Sequence, residues 1–169
     1  MRRDWACTMK AHAIGVSFVK KILTLVILAW GFGAHGDGQP QADLIVLRAR
    51  DATIIGDAKL AGDKIGSWNS VAAHVVWTTT VARAGTYRVL FEYSCTQQAS
   101  GTEFDVLVGS QRANGVVADT GGWGSFTNLD LGPVLVRKAG LLQIEVVPTK
   151  SRQKSSLMNL RSVTLRRED

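Results

Sequence analysis

A run of alternating residues between Thr86 and Cys95 constrains the fold of this chain more than any other sequence feature. Large or apolar side chains occupy every second position of that run, at Tyr87, Val89, Phe91, Tyr93 and Cys95. Because successive side chains of a β-strand point to opposite faces, this period of two predicts a strand buried on one face. Burial on one face is typical of antiparallel sheets.

Similar short runs follow one another after residue 36, and none sustains the 3.6-residue period of a helix. The predicted strands cover residues 44–50, 52–55, 73–81, 86–95, 103–108, 126–131, 134–136, 141–147 and 160–165. Trp77 falls on the inward side of its strand and is predicted to lie in the core, whereas residues 56–70 are predicted to form a loop. Many short strands without crossover helices indicate an all-β fold, an antiparallel β-sandwich of the jelly-roll type.

The first 36 residues have the composition of a secretory signal peptide. Basic residues precede an apolar run from Ile22 to Phe32, and this run of about a dozen residues is too short to span a membrane. The small residues Ala34 and Gly36 predict cleavage before Asp37. Residues 37–43 are then a short linker and residues 44–167 the folded domain, and we expect the protein to be secreted or periplasmic.

This leader carries much of the positive charge. It holds five of the 20 Lys and Arg and one of the 14 Asp and Glu, so the remaining chain has a net charge of +2. A balance so close to neutral gives little support to a nucleic-acid partner. Cys95 is the one cysteine after the leader, so we expect no intrachain disulfide, and its position in a strand favours a small core residue over a nucleophile.

The sequence after the leader contains no specific catalytic or metal-binding pattern. His74 is its only histidine, which leaves little from which to build a catalytic triad or a His/Cys metal cluster. Glu103 and Asp105 lie on one face of a strand, where two solvated carboxylates are the more common explanation. We therefore predict that the chain is not an enzyme.

A glycine-rich segment from Thr120 to Phe126 joins two strand-forming parts of the chain and holds Trp123. Three of the five residues at 120–124 are glycines, which permit positive φ and leave the indole uncovered. Trp123 is thus either a platform that faces a ligand or a plug at the rim of the core, and the local residues favour neither.

The order of several short motifs resembles the galactose-binding-domain-like jelly roll. The motifs are LRA at 47–49, IG at 55–56, IGSW at 65–68, Trp77, AGTY at 84–87, TGGW at 120–123, LG at 131–132, AG at 139–140 and MNLRSV at 158–163. More narrowly, the chain is similar to carbohydrate-binding modules of families six and thirty-five, and to the non-catalytic C-terminal domain of bacterial α-L-fucosidases. The likeness extends from about Leu44 to Arg166.

The resemblance implies a sugar site among the loops at one edge of the sandwich. In family-six modules the Trp of a Gly-Gly-Trp loop stacks on the sugar, and an Asn just before the last strand bonds its hydroxyls. Trp123 and Asn159 match those positions, and Trp68 is the nearest match to a second aromatic. The resemblance also implies a structural calcium on acidic residues of the first strand, but Arg48 and Arg50 stand there, so no cofactor is predicted.

The function implied is that of a non-catalytic carbohydrate-binding module in a secreted protein. Its partners would be a glycan or polysaccharide and a secreted glycoside hydrolase or another exported protein. An indole suits the apolar C–H face of a pyranose, and an Asn side chain both donates and accepts hydrogen bonds. The alternative is a structural or adhesive sandwich that binds a protein partner without a sugar ligand, and a hydrolase with an unrecognised site stays open.

A purely structural role, without ligand binding, also explains three of these features. Asn159 is equally expected as a turn residue that bonds its own backbone, and Trp68 as an aromatic that closes one end of the core. The basic residues Lys150, Arg152 and Lys154 fall in one loop, which we predict to be solvated and not a site for acidic glycans.

Overall fold

The structure is a computed structural model, and it describes residues 44–151 and 156–168. The strands in those residues are β1 (Leu44–Arg48), β2 (Thr53–Ile55), β3 (Lys59–Ala61), β4 (Lys64–Gly66), β5 (His74–Val81), β6 (Gly85–Ser94), β7 (Glu103–Val108), β8 (Gln111–Val116), β9 (Thr127–Val136), β10 (Gly140–Lys150) and β11 (Asn159–Arg167). Short 3-10 turns follow β1 and β6, at Ala49–Asp51 and Gln97–Ala99. The predicted signal peptide and linker, and the basic residues Arg152 and Lys154, lie outside the described residues.

The strands form two antiparallel sheets that pack face to face. The first sheet has the order β3-β4-β11-β6-β9, with β1 also paired to β11, and the second has the order β2-β5-β10-β7-β8. The prediction of an antiparallel jelly-roll sandwich is confirmed. No helix in the described part of the chain is long and apolar enough to cross a membrane.

Inward side chains of both sheets form one core. The Phe91 ring of β6 stacks on the Phe104 ring of β7, with centroids 4.3 Å apart, and thereby joins the two sheets. Trp77 is buried as predicted, and its indole N–H donates to the Arg48 carbonyl at 2.8 Å. Full burial of large apolar side chains of this kind stabilises the fold by about 1.5–3 kcal/mol each.

The prediction of a loop over residues 56–70 is wrong in part, because β3 and β4 form a hairpin there. Leu60 pairs with Ile65, and Gly62 in the turn has a φ of 67°, which glycine adopts without strain. The strands β3 and β4 lie in a segment rich in Gly, Asp and Lys, so no alternation was recognised there. The hairpin leads directly into the segment that contains Trp68.

Two prolines do not end strands where the sequence predicted breaks. Strand β9 continues through Pro133, which it tolerates because β9 is an edge strand and Pro lacks only a hydrogen-bond donor. Strand β10 continues through Pro148, after which its pairing with β7 shifts register. Strand β8, which the sequence did not predict, contains Arg112, Asn114 and Gly115 in place of an apolar alternation.

Strand β11 has two partners in succession on one edge. Leu160 pairs with Ile65 of β4, whereas Ser162 pairs with Arg48 of β1. Arg161 lies between these two pairings and also at a register shift in the pairing of β11 with β6 on its other edge. The side chain of Arg161 is therefore at an interruption of the sheet.

Candidate functional site

The loop that carries Trp123 lies between β8 and β9 and is anchored to the end of β6. The N–H groups of Thr120 and Gly122 donate to the Cys95 carbonyl at 3.0 and 3.3 Å, and the Cys95 N–H donates to Thr120 Oγ1 at 2.9 Å. Gly121 and Gly122 have φ of 88° and 142°. Because side chains are strained in that region, this turn requires glycine at both positions.

Two side chains of the first sheet form hydrogen bonds to the backbone carbonyl of Trp123. Ser94 Oγ donates to the Trp123 carbonyl at 2.8 Å, and Asn159 Nδ2 donates to the same oxygen at 2.9 Å. Ser94 and Asn159 face each other across β6 and β11, so both donors start from the sheet itself. Residue Trp123 as a whole is 36% exposed on this anchored loop.

Asn159 supports the loop and does not offer a free amide to solvent. It is only 7% exposed, and its Nδ2 also donates to Ser94 Oγ at 3.3 Å. Its Oδ1 lies so close to Gly66 that a Cβ on that residue would come within 2.5 Å of it. The structure thus brings Trp123 and Asn159 together, but through the Trp123 carbonyl.

Trp68 is a core residue in the structure. It has no exposed surface, its indole N–H donates to the Ala73 carbonyl at 3.1 Å, and its own carbonyl accepts the Leu157 N–H at 2.6 Å. The preceding Ser67 has a φ of 49°, a left-handed conformation at the end of β4, immediately before the buried indole. This burial contradicts the prediction that Trp68 contributes a ring face to a ligand.

A polar cavity beside the Trp123 loop contains groups that the sequence prediction missed. It has a volume of about 240 Å³ and is lined by Gln97, Gln98, Asp119, Gly121 and Gly122, together with Thr96. Gln97, Gln98 and Asp119 are exposed, and the Asp119 carboxylate accepts the Gly121 N–H at 2.9 Å. Bonds of Thr120 and Gly122 to Cys95 connect the loop after β6 to the Trp123 loop, and local sequence carried no signal for this long-range pairing.

A second cavity, of about 450 Å³, lies not at the Trp123 loop but beside β7 and β8. It contains the two carboxylates that the sequence placed on one strand face. Glu103 lies 3.4 Å from Lys150 Nζ, and Asp105 lies 3.2 Å from Arg112 Nη1. Each carboxylate has its own cation, but Asp105 is buried and Glu103 is half-buried, so the prediction of two solvated carboxylates is wrong for Asp105.

Cys95 and His74 are the two residues considered for nucleophilic or acid–base chemistry, and Cys95 is a buried core residue. Burial raises the pKa of the Cys95 thiol to about 11, with the nearby Asp119 charge as a smaller cause, so the thiol is protonated at neutral pH. The His74 Nε2 lies 3.6 Å from a Glu145 carboxylate oxygen on the second sheet.

The residues of the first strand do not fit the calcium that the resemblance implies. Calcium takes six to eight oxygen ligands, chiefly carboxylates and carbonyls. Here Arg48 and Arg50 line the cavity at that position, and both carboxylates of the cavity, Asp63 and Glu92, form ion pairs with Arg161. In the described residues, no group of three or more His, Cys, Asp or Glu is placed to hold a metal ion.

No protein-family model matches this chain. It is 33% identical over 137 residues to an exo-β-D-glucosaminidase of Amycolatopsis orientalis, an alignment that covers 73% of this chain and 13% of that enzyme. The chain therefore spans a small part of the length of this curated relative.

Comparison of structures decides the fold. A family 35 carbohydrate-binding module from Clostridium thermocellum superposes with a TM-score of 0.59 at 16% identity, over 74% of this chain and 98% of the module. The chain has the fold of a carbohydrate-binding module. The C-terminal family 6 module of a marine laminarinase from Zobellia galactanivorans gives a TM-score of 0.55 at 12% identity, over 73% of this chain and 99% of that module.

The fold also occurs as a part of larger enzymes. A β-(1,4)-mannanase of Podospora anserina with a family 35 module matches with a TM-score of 0.59 at 16% identity, over 75% of this chain and 28% of the enzyme. The resemblance to modules of families six and thirty-five is thus confirmed at the level of the fold.

Proposed function

We propose that this chain is a non-catalytic carbohydrate-binding module that stacks a neutral sugar on Trp123 at the loop edge of the sandwich. The observation that carries the proposal is a tryptophan that is 36% exposed and whose backbone carbonyl accepts hydrogen bonds from both Ser94 and Asn159. A platform fixed in advance does not lose loop entropy when a ligand binds, which favours affinity for a small ligand.

The surroundings of Trp123 supply the polar half of such a site. The exposed amides of Gln97 and Gln98 and the carboxylate of Asp119 lie around the neighbouring cavity, where they would donate to and accept from sugar hydroxyls. In this proposal Asn159 positions Trp123 and the three polar residues contact the sugar. One stacked ring with a few water-competing hydrogen bonds yields about 4 to 6 kcal/mol, or millimolar to tens of micromolar binding.

The proposal includes export and a catalytic partner. The sequence resembles part of an exo-β-D-glucosaminidase, and the fold is found beside a mannanase domain, so we propose that this module assists a secreted glycoside hydrolase. It would act by holding the glycan near that enzyme and not by turning it over. Its location would be secreted or periplasmic, after loss of residues 1–36.

Substitution of Trp123 tests the site. Trp123→Ala should abolish detectable binding in a glycan screen and leave the melting temperature nearly unchanged, because the side chain is not part of the buried core. Leu141→Ala is the matched control, since Leu141 is an apolar residue 82% exposed on β10 that lines a cavity with Val108 and Leu135 and not with the Trp123 loop. Asn159→Ala should weaken binding by about 1 to 2 kcal/mol and also lower the melting temperature, because it removes a buried hydrogen bond.

Two results would overturn this assignment. Unchanged glycan binding by Trp123→Ala would place the sugar elsewhere. Loss of folding in Trp123→Ala, together with no glycan binding by the wild type, would make the indole a plug of the core.

One further observation favours the alternative of a protein-binding domain. Leu141 is 82% exposed and Leu135 43% exposed, and both line one shallow cavity with Arg137 and Lys138. Exposed apolar residues with a polar rim are common at protein interfaces. A wild type that binds no glycan but forms a complex with an exported enzyme, lost in Leu141→Ser, would favour this second function.

A further inference from the structure

The interruption of the first sheet at Arg161 opens a cavity on its surface. The cavity has a volume of about 160 Å³ and is lined by Val46, Arg48, Arg50, Asp63, Glu92 and Arg161, with Ser162. It lies where β11 changes partner from β4 to β1, at the register shift of β11 against β6. Such irregularities redirect a side chain out of the regular alternation of a strand.

Arg161 forms ion pairs with both carboxylates of this cavity. Its Nε lies 2.9 Å from Asp63 Oδ2, and its Nη1 lies 3.1 Å from Glu92 Oε1. Its guanidinium also covers the Phe126 ring, with 3.5 Å between Cζ and the ring centroid. The second oxygen of Glu92 accepts the Ser162 hydroxyl at 2.9 Å.

The positive charges of Arg48 and Arg50 are not balanced by an ion pair within the described residues. Within the described residues neither guanidinium has an ion-pair or hydrogen-bond partner, and both line the same cavity as Arg161. Their backbone is nonetheless fixed, because the Arg48 carbonyl accepts the Trp77 indole N–H and Ala49 between them is buried. The cavity thus has three guanidinium groups and two carboxylates in its lining, an excess of one positive charge.

We propose that this cavity is an oxyanion site, which takes a sulfate or carboxylate group between Arg48 and Arg50. Arginine presents a planar fork of N–H donors that matches the oxygens of such anions. At about 30 Å³ per water, a volume of 160 Å³ holds about five waters, which is room for one oxyanion with part of its hydration shell. The cavity therefore takes an anion where the resemblance implied a cation.

Titration with sodium sulfate tests the site, with sodium chloride at equal ionic strength as the control for screening. Sulfate should cause a saturable change in the amide NMR spectrum around Arg48 and Ser162. Arg48→Gln and Arg50→Gln should each weaken this binding by about fivefold, the upper range for one exposed charge pair. Arg48→Lys keeps the charge and should retain more of the binding than Arg48→Gln.

Arg137→Gln is the matched control variant. Arg137 is exposed in the turn after β9 and lines a different cavity, so its removal should leave sulfate binding unchanged. A sulfated monosaccharide that binds more tightly than sulfate would indicate a glycan substituent as the natural ligand, and equal binding would indicate the free ion. No saturable change, or equal loss in Arg137→Gln and Arg48→Gln, would overturn the proposal.

Calcium provides the opposing test. Neither calcium chloride nor a chelator should change the melting temperature beyond the effect of ionic strength, because Asp63 and Glu92 are both paired with Arg161 and the three arginines give the cavity lining a net positive charge. A saturable stabilisation by calcium that disappears in Glu92→Gln would overturn the proposal. This experiment and the sulfate titration use no neutral sugar, so their outcome is independent of the Trp123 site.

Discussion

Asn159 shows how one side chain connects the core to the loop that carries the candidate site. Its amide nitrogen bonds the Trp123 carbonyl and the Ser94 hydroxyl, and its oxygen fills the space that Gly66 leaves. A buried amide with its partners in place is worth about 1 kcal/mol per hydrogen bond, whereas an unsatisfied one costs more. The position of the indole therefore depends on residues that are far from it in sequence.

Cys95 allows a prediction for the pH dependence of stability at the residue scale. Burial raises the pKa of its thiol from the ordinary value of 9.0 to about 11. The unfolded thiol ionises first as pH rises, so the stabilisation is complete below about pH 9 and is lost progressively toward pH 11. The free energy of unfolding, measured in urea at a series of pH values, should therefore fall more steeply in the wild type than in Cys95→Ala.

Thiol labelling checks the same assignment near neutral pH. The native Cys95 should react slowly with a disulfide reagent at pH 8 and rapidly in denaturant, because only the thiolate attacks and the folded site has no exposed surface. Fast labelling of the folded protein, or equal pH slopes in wild type and Cys95→Ala, would contradict the raised pKa.

The two tryptophans of the predicted site mark the limit of what sequence established. Both follow a glycine-containing loop segment, so local composition described them alike, yet Trp68 is buried and Trp123 is exposed. The difference lies in contacts from distant parts of the chain, including the Leu157 N–H to the Trp68 carbonyl and the Ser94 hydroxyl to the Trp123 carbonyl. The resemblance identified Trp123 and Asn159 as neighbours but did not indicate that the Asn159 amide is occupied.

At the scale of elements, the apolar pattern of each strand decided which parts of the fold were predictable. Strands β5, β6 and β7 alternate over at least six residues and were recognised, and Trp77 of β5 and Phe91 of β6 are buried as their patterns predicted. Strands β3 and β4 have three residues each, and β8 lacks an apolar pattern, so none of these gave a signal. Their pairing is determined by neighbours and turns and not by their own residues.

Strand β4 carries a prediction that links an element to the site. In Gly66→Ala the new Cβ would lie 2.5 Å from Asn159 Oδ1, so either β4 or the Asn159 side chain must move. Overpacking of this kind costs about 1 to 3 kcal/mol, and a displaced Asn159 would also release the Trp123 carbonyl. We expect a lower melting temperature together with weaker glycan binding.

Gly124→Ala is the control for this substitution. Gly124 lies next to Trp123, and a Cβ there has no heavy atom within 4 Å, so the melting temperature should hardly change. A Gly66→Ala variant as stable as Gly124→Ala would show that Asn159 does not depend on the space at β4.

At the scale of the whole molecule, the remaining prediction concerns processing. Because the basic segment, the apolar run and the Ala34 to Gly36 spacing match a signal peptide, we expect the exported protein to begin near Asp37. N-terminal sequencing of material recovered outside the cytoplasm measures this directly. An intact leader in that material would indicate an anchor and would change the proposed location.

The pairing of Leu44 with Arg166 places the start of the first strand beside the end of the last one. Asn159, under Trp123, is at the other end of the same nine-residue strand, so these two poles are separated by roughly 26 Å at 3.3 Å per residue. A fluorescent protein or a surface tag fused at either Leu44 or Arg167 would therefore be attached at the pole away from the indole. A fusion at either of these two positions should therefore leave the Trp123 loop accessible to a ligand.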